Sequence, residues 1–420
     1  HIVVLGWTNR TSDIVQELVY SQERVKRFLH RRGARSLRIV ILAGHVTTHL
    51  VQELRDDLGD EWDEKEIILR QGSSLQIDHL RRVDFSHASV IVHPGGDYTG
   101  NGSTATDARV LKTLMSITDY GTAEDVDQLP GLVTEIFDAD KIPLAQTAYS
   151  GEIDVVPTNS FLSRLMAQNI RHHGLSYIFD ELLTHRRGND IYIRSFPDLA
   201  GTPFGDIRSM FAQTIPLGVV RAETDGFAPI LNPSRTYELE ADDRIALIAE
   251  SYRDTEPHPE ESSTARPLTD TAPARPRVRQ RRRLLLLGWS QRTPALMDEL
   301  RSYIEEDFDI TMLSTVSARE RERKLSDEMD HTAEISSIEH IEGDYTSDVV
   351  LKRVNPATFD NIILLGSQRM ASGEASDARS ILGFMLLESL LPDPERHPDI
   401  LVELMDPENA KLFHRRSGEI

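Results

Sequence analysis

An internal repeat constrains this chain more than any other feature. Residues 1–18 read HIVVLGWTNRTSDIVQEL, and residues 284–300 read LLLLGWSQRTPALMDEL. Each copy opens on an apolar run, turns at a glycine and continues with the spacing of an amphipathic helix whose first turn carries hydroxyl residues. The sequence therefore predicts the same strand, tight turn and helix twice.

Two later motifs recur in the same order, which indicates that a whole domain is duplicated. The ATDAR motif at 105–109 is matched by ASDAR at 375–379, and TEI at 134–136 is matched by VEL at 402–404. Three motifs in one order are hard to produce by chance. We therefore expect two related domains in this chain.

The apolar runs of the first copy are rich in valine and isoleucine and alternate with helical patterns, which favours a parallel sheet covered on both faces. The predicted fold class is α/β, with two doubly wound Rossmann-like parallel-sheet domains and a small mixed α/β lobe between them. The predicted strands of the first copy are 2–5, 38–43, 67–69, 90–92, 132–136 and 153–156. Those of the second copy lie near Leu284, Ile310, Ile338, Ile362 and Ile400, without a clear sixth strand.

Changes in amino-acid composition along the chain predict its domain boundaries. Short strand-like pieces broken by prolines follow Arg187, and a stretch rich in proline and arginine, with almost no apolar residues, precedes the second copy. We expect that stretch to be an exposed linker. The predicted parts are a first lobe at 1–157, a crossover helix pair at 158–186, a small lobe at 187–252, the linker at 253–283 and a second lobe at 284–420.

The helix pair has an apolar surface for which the first lobe offers no predicted packing partner. We expect a subunit or lobe contact to cover it. Its apolar residues are Phe161, Leu162, Leu165, Met166, Leu175, Ile178, Phe179 and Leu182.

Composition excludes several classes of protein. A formal net charge of -21 argues against a general nucleic-acid binder, and the absence of cysteine excludes disulfides and cysteine-based zinc sites. No apolar run approaches the roughly 20 residues that cross a bilayer. The cytoplasm is the expected compartment. We interpret the chain as a piece of a longer protein, because His1 already lies in a predicted strand and no signal sequence precedes it.

The Rossmann fingerprint is reduced to its first glycine in both copies, and a tryptophan follows that glycine where a pyrophosphate would approach. The acidic residue that binds a ribose is also missing at 43–45 and 314–316. Dinucleotide binding is thus disfavoured, whereas a phosphate or mononucleotide at the helix N-terminus stays open. The candidate residues are Gly6, Trp7, Thr8, Arg10, Gly288, Trp289, Ser290 and Arg292.

A structural role for the two arginines is the competing interpretation. In that case Arg10 pairs with Asp107, and Arg292 pairs with Asp377, across the strand ends.

Acidic residues gather near the ends of the fourth helix and fifth strand in each copy. Hard cations such as Ca²⁺ bind several such oxygens together. Arg109 and Arg379 are alternative partners for these carboxylates. The candidate metal ligands are Asp107, Glu135, Asp138, Asp377, Glu403 and Asp406.

No nucleophile elbow, zinc-protease helix, Walker loop or cysteine nucleophile occurs in the sequence. We therefore expect no catalytic residues and no enzyme.

In combination, the motifs resemble the regulator-of-potassium-conductance domains of ion channels and, among them, the Castor and Pollux channels and their bacterial relatives. The matching features are the Gly-Trp turn after the first strand, RQGS at 70–73, Asp-Ala-Arg in the fourth helix and Thr-Glu in the fifth strand. The stretch RSFPDLAGTPFGDI at 194–207 is similar to the C-terminal lobe that follows such domains.

This resemblance implies a ligand-sensing gating ring on the cytoplasmic face of the cell membrane. Four identical chains, each with two such domains, would form eight lobes below a tetrameric cation pore encoded upstream. In calcium-gated relatives the sites lie around the end of the fifth strand, which carries the calcium role to Glu135 and Glu403. A nucleotide- or NAD-sensing regulator, or a dinucleotide-dependent oxidoreductase, is the alternative function.

Overall fold

The computed structural model describes residues 1–96, 102–172, 174–184, 188–211, 213–223, 226–258, 280–303, 306–329, 337–367, 370, 372–391 and 397–413. The chain forms two compact units. The first consists of His1–Val15, Ser36–His173 and Pro276–Ile420, and the second of Gln16–Arg35 and Gly174–Arg275. The first unit thus holds both predicted sheet lobes, and residues 16–35 of the predicted first lobe belong to the second unit.

The first sheet has six parallel strands, as the apolar runs predicted. Its strands are β1 (Ile2–Leu5), β2 (Ile39–Ala43), β3 (Ile67–Gln71), β4 (Val90–His93), β5 (Gly131–Ile136) and β6 (Ile153–Pro157). Their order in the sheet is β3-β2-β1-β4-β5-β6, that of a doubly wound fold. All four residues of β1 are buried, because a central parallel strand is covered on both faces.

Helices connect these strands. They are α1 (Thr11–Tyr20), α2 (Gln22–Arg32), α3 (Thr48–Leu58), α4 (Ile77–Arg81), α5 (Gly102–Ala123) and α6 (Ile142–Ala148). Val110, Leu114 and Ile117 of α5 pack in one cluster with Leu5 and Ile91 of the sheet. This packing fixes the start of α5 near the carboxyl ends of β4 and β5.

The predicted crossover pair consists of α7 (Thr158–Arg171) and α8 (Leu175–Leu183). Met166, Ala167 and Ile170 of α7 pack in the apolar core of the second lobe. The apolar face of α7 is thus covered by the other sheet lobe of the same chain, which is the lobe contact among the two predicted alternatives. On α8, Ile178 is exposed and Phe179 is half-buried, so a subunit contact there stays a prediction.

The small lobe contains an antiparallel sheet. Its elements are β7 (Asp190–Ser195), α9 (Phe204–Ile207), β8 (Ile215–Glu223), β9 (Gly226–Leu231) and β10 (Arg244–Ala249), and the strand order is β7-β10-β8-β9. The sequence did not indicate β9, because Pro229 lies inside it. The proline is tolerated because β9 is an edge strand, with a hydrogen-bonded neighbour on one side only.

The second lobe repeats the first sheet with five parallel strands. These are β11 (Gln280–Leu287), β12 (Glu306–Ser314), β13 (Ser337–Glu342), β14 (Asn361–Leu364) and β15 (Asp399–Val402), in the order β13-β12-β11-β14-β15. Its helices are α10 (Thr293–Arg301), α11 (Ala318–Glu328), α12 (Asp348–Val354) and α13 (Gly373–Leu390). The predicted fold class, two Rossmann-like parallel sheets with a small mixed lobe, is confirmed.

The predicted linker ends earlier than its composition indicated. Residues 259–279 lie outside the described residues, but Gln280 to Arg283 form the start of β11. These residues pair in parallel register with residues 306–309 of β12, and Arg281 Nε also donates to Asp309 at 2.5 Å. None of the helices in the described ranges combines the length and apolar character that a bilayer crossing requires.

Candidate functional site

The first strand-end site lies where β1 ends and α1 begins. Gly6 turns the chain out of the sheet with a φ of 124°, which L side chains rarely adopt. The Thr8 N–H donates to Thr11 Oγ1 at 2.8 Å, and the Arg10 N–H donates to Thr8 Oγ1 at 3.3 Å. Two hydroxyls therefore accept hydrogen bonds from amides that were candidates for binding an anion.

Arg10 joins three segments at this site. Its Nη2 donates to Glu135 Oε2 at 2.7 Å and to the Pro94 and Gly96 carbonyls at 3.2 Å each. Glu135 Oε1 also accepts the Thr158 hydroxyl at 2.6 Å. Burial raises the pKa of Glu135, and the charge of Arg10 opposes that rise. Glu135 is therefore a common anchor for the starts of α1 and α7.

The second strand-end site repeats this arrangement with the same residue types. The Ser290 N–H donates to Thr293 Oγ1 at 3.2 Å, and the Arg292 N–H donates to Ser290 Oγ at 3.2 Å. Arg292 Nη2 pairs with Glu403 Oε1, and Glu403 Oε2 accepts the Gly366 N–H at 2.9 Å. The motif thus encodes the same cap and the same ion pair in both repeats.

The structure gives both arginines a glutamate partner, which corrects the predicted pairing with aspartates. Asp107 is fully buried and accepts the Phe137 N–H at 2.9 Å, the Asp138 N–H at 3.3 Å and Lys141 Nζ at 3.0 Å. Its short side chain therefore ties the first turns of α5 to the loop after β5.

Asp377 has the corresponding role in the second repeat. It accepts the backbone N–H groups of Met405 and Asp406 at 2.8 and 3.0 Å and the Asn409 amide at 2.8 Å. The nearby Arg379 donates to Asp344 at 2.5 Å. In both repeats these aspartates anchor the loop after the fifth strand.

The candidate metal ligands thus have protein donors as partners. Asp138 accepts the Asp140 N–H at 3.1 Å and lies 3.2 Å from Lys141 Nζ. Across the described part of the chain, no group of three or more histidine or acidic side chains is placed to hold a metal ion. The calcium site stays a prediction, and Asp107, Asp138, Glu135 and their counterparts keep their protein partners in this structure.

The two strand-end sites differ in exposure although their motifs match. The Arg10 side chain is 30% exposed, whereas that of Arg292 is 2% exposed. A Cβ at Gly6 would meet no atom of the described residues within 4 Å, but a Cβ at Gly288 would lie 2.9 Å from the Leu365 carbonyl oxygen. The first site is therefore open and the second is filled by the protein.

Helix α7 is part of what fills the second site. Trp289 is 5% exposed and belongs to one apolar cluster with Met166, Ala167 and Ile170 of α7, while Trp7 in the first repeat is half-buried. No local sequence motif encodes this covering of Trp289 by α7, because the residues involved are more than a hundred positions apart.

Three further residues at these sites were missed from the sequence. Thr158 contacts Glu135, and the Ser163 hydroxyl donates to the Arg292 carbonyl at 3.2 Å. His93, at the end of β4, is buried, and burial lowers its pKa to about 4. Its Nδ1 accepts the Gly95 N–H at 3.2 Å. A histidine ending a buried strand was the available sequence signal for His93.

Comparisons with known proteins agree with these features. Residues 159–265 match the family model described as Castor and Pollux, part of voltage-gated ion channel. The probable ion channel POLLUX of Oryza sativa subsp. japonica is 27% identical over 399 residues, which are 93% of this chain and 38% of that protein. The ion channel CASTOR of Lotus japonicus is 28% identical over 403 residues, which are 93% of this chain and 44% of that protein.

The fold has a counterpart among solved structures. The human SLO3 gating ring superimposes with a TM-score of 0.64 at 15% identity, covering 100% of this chain and 75% of that one. This chain spans less than half the length of the two channel relatives, 38% and 44%. It is similar to the Castor and Pollux ion channels over most of its length and has the fold of a channel gating ring, as its motifs predicted.

Proposed function

We propose that this chain is the ligand-sensing regulatory part of a cation channel, on the cytoplasmic face of a membrane, and that another part of a longer protein forms the pore. The observation that carries the proposal is the extent of similarity. It covers 93% of this chain, both repeats included, yet only 38% of the Oryza channel and 44% of the Lotus channel. In this proposal the regulatory part and the pore lie in different stretches of the full-length protein.

The proposed assembly is a homotetramer in which four chains contribute eight sheet lobes to one ring. Each chain supplies two parallel-sheet lobes with corresponding strand-end sites, of which the first is the more exposed. A near-complete gating switch needs about 5.5 kcal/mol of differential binding energy. Shared among four identical sites, this is about 1.4 kcal/mol each, a tenfold affinity difference between two states.

The first strand-end site is the proposed ligand site, because it is the open member of the pair. Its contacts favour an anionic small molecule such as a nucleotide over a divalent cation. A cation at Glu135 must displace Arg10, a hydrogen bond between charged groups worth about 1.5–3 kcal/mol. At the Thr8 amide a phosphate competes with the neutral Thr11 hydroxyl, a bond worth about 0.5–1.5 kcal/mol, and it must also open the packing around Thr8 and Thr11, which are 3% and 0% exposed.

Calorimetry on this chain separates the two ligand classes. ADP and NAD⁺ are titrated in one series and CaCl₂ in another, with Arg10→Gln, Glu135→Gln and Glu403→Gln as variants. Nucleotide binding that weakens in Arg10→Gln but not in Glu403→Gln supports the first site. Calcium binding that weakens in Glu135→Gln or Glu403→Gln instead supports the cation prediction. Calcium binding that is equal in wild type and both glutamine variants shows that these glutamates are structural.

The channel function itself is tested electrically. The full-length protein that contains this chain is placed in planar bilayers, and the ligand identified by calorimetry is perfused on the side of this regulatory part. Channel openings that change with the ligand, and do not change in Arg10→Gln, support the proposal. A full-length protein that carries no current under any of these conditions contradicts it.

The alternative, a dinucleotide-dependent oxidoreductase, has less support, because the relatives are named ion channels. Oxidation of NADH by the purified chain would be the sign of that activity.

A further inference from the structure

The two strand-end sites are electrostatically close to each other. Burial raises the pKa of Glu135, and the positive charges that oppose this rise include Arg292 of the second repeat as well as Arg10 of the first. The ion pair of one repeat therefore lies within the field of the other.

Helix α7 makes a direct connection between these sites. At its first residue, the Thr158 hydroxyl donates to Glu135 of the first site. Five residues later, the buried Ser163 hydroxyl donates to the Arg292 carbonyl of the second site. That carbonyl also accepts the Leu296 N–H in the first turn of α10. Two hydroxyls on one helix thus touch the key residue of each site.

The far end of α7 is fixed to the second lobe. The Ile170 carbonyl accepts Arg282 Nη1 at 3.4 Å and the Asn361 side-chain amide at 3.3 Å. Arg171 Nε donates to Glu306 at 2.9 Å. The carbonyls at a helix C-terminus have no partners within the helix, so these donors hold α7 firmly. A helix of 14 residues is about 21 Å long and moves as one body.

We propose that α7 couples the two strand-end sites and that Thr158 and Ser163 are the positioning residues that transmit the coupling. A change in the Arg10–Glu135 pair shifts Thr158 and hence α7, and Ser163 carries that shift to the backbone of Arg292. Coupling between sites is reciprocal, so a change at Arg292 reaches the first site by the same route. The coupling is a property of these contacts and is independent of the channel function proposed above.

Tryptophan fluorescence and amide exchange test the coupling directly. The chain has three tryptophans, so Trp7→Phe with Trp62→Phe leaves Trp289, which packs against α7, as the single reporter of the second site. Arg10→Met is then introduced in the first site. We expect acrylamide quenching of Trp289 to change, and amide exchange in the first turn of α10 to change by about fivefold or more, the low end of ordinary coupling.

The hydroxyl variants decide whether α7 is the route. In Thr158→Val and in Ser163→Ala, the effect of Arg10→Met on Trp289 quenching and on the α10 amides should be much smaller than with both hydroxyls present, since only the direct field of the charge still acts between the sites. Thr158→Ser keeps a hydroxyl and should restore the response. Circular dichroism confirms that each variant is folded, and Arg55→Met, which removes an exposed pair with Glu64 in the first repeat, is the matched control.

The reverse direction uses Trp7 as the single reporter, with Trp62→Phe and Trp289→Phe. Ser163→Ala in the second contact should alter the quenching of Trp7 in the first repeat. The proposal is overturned if Arg10→Met does not affect Trp289, or if its effect is equally large without the Thr158 and Ser163 hydroxyls.

Discussion

The two arginine–glutamate pairs should differ in their contribution to stability, although one motif encodes both. Arg292→Met leaves the Glu403 carboxylate, whose side chain is 7% exposed, with the Gly366 N–H as its remaining hydrogen-bond donor among the residues that the structure describes. A buried charge that loses its partner costs about 3–5 kcal/mol. Arg10→Met exposes Glu135 to water through a side-chain position that is already 30% exposed, and Glu135 keeps the Thr158 hydroxyl. The loss there is about 1.5–3 kcal/mol, that of a charged hydrogen bond.

Urea unfolding at neutral pH, followed by tryptophan fluorescence, measures both losses. Arg55→Met is the control, since an exposed ion pair contributes under about 1 kcal/mol. The Arg292 variant should unfold at a clearly lower urea concentration than the Arg10 variant, and the control should differ little from wild type. Equal losses from Arg10→Met and Arg292→Met would refute the assignment of one site as open and the other as filled.

The pH dependence of the Arg10 variant follows from the direction of one shift. Burial raises the pKa of Glu135, and Arg10 is the strongest influence that lowers it, so its removal raises this pKa further. A carboxyl with a raised folded-state pKa destabilises the protein while it is ionised, and protonation relieves the cost. The deficit of Arg10→Met should therefore be largest at neutral pH and become smaller as the pH falls through the folded-state pKa of Glu135. A deficit that grows on acidification contradicts this origin.

Three other predictions concern single features. Asp107→Asn and Asp377→Asn should each lower the free energy of unfolding by about 1–3 kcal/mol, because an amide cannot accept all the hydrogen bonds that the carboxylate accepts. Thermal melting measures this loss, and unchanged melting midpoints would show that the loops after β5 and β15 do not depend on these bonds. His93 has a folded-state pKa of about 4 against an ordinary 6.5, so its contribution to stability is present above pH 6.5 and disappears as the pH falls toward 4. The free energy of unfolding should fall by about 3 kcal/mol over this range, and His93→Phe should remove this part of the pH dependence. Phe179→Asp with Leu182→Asp should reduce the oligomer measured by light scattering, and an unchanged mass would exclude α8 as the subunit contact.

The sheet lobes were predictable because their determinants are local. The apolar runs located all eleven strands of the two parallel sheets within a few residues, since the central part of a strand covered on both faces is apolar. The Gly-Trp turn correctly located Arg10 and Arg292 at the strand ends. Their glutamate partners follow from packing over more than a hundred residues, which a local motif does not encode.

Two outcomes depended on information that is not local. The strand β9 was missed because a proline counts against a strand unless its place at the edge of the sheet is known. The covering of Trp289 by α7 was missed because Met166 and Ile170 have the same apolar pattern whether they face another subunit or another lobe. The exposure of the first site and the closure of the second thus required the three-dimensional packing.

The unequal exposure of the two sites determines how each copy can change during evolution. Substitutions at the half-buried Trp7 and Arg10 alter a surface that solutes can reach, so they can change the proposed ligand preference while the fold persists. Substitutions next to Gly288 alter a packed interior against Leu365 and α7, and they are selected first for whether the protein remains folded. In a deep mutational scan, therefore, the first copy should show variants that separate ligand response from protein abundance, whereas in the second copy the two measurements should fall together.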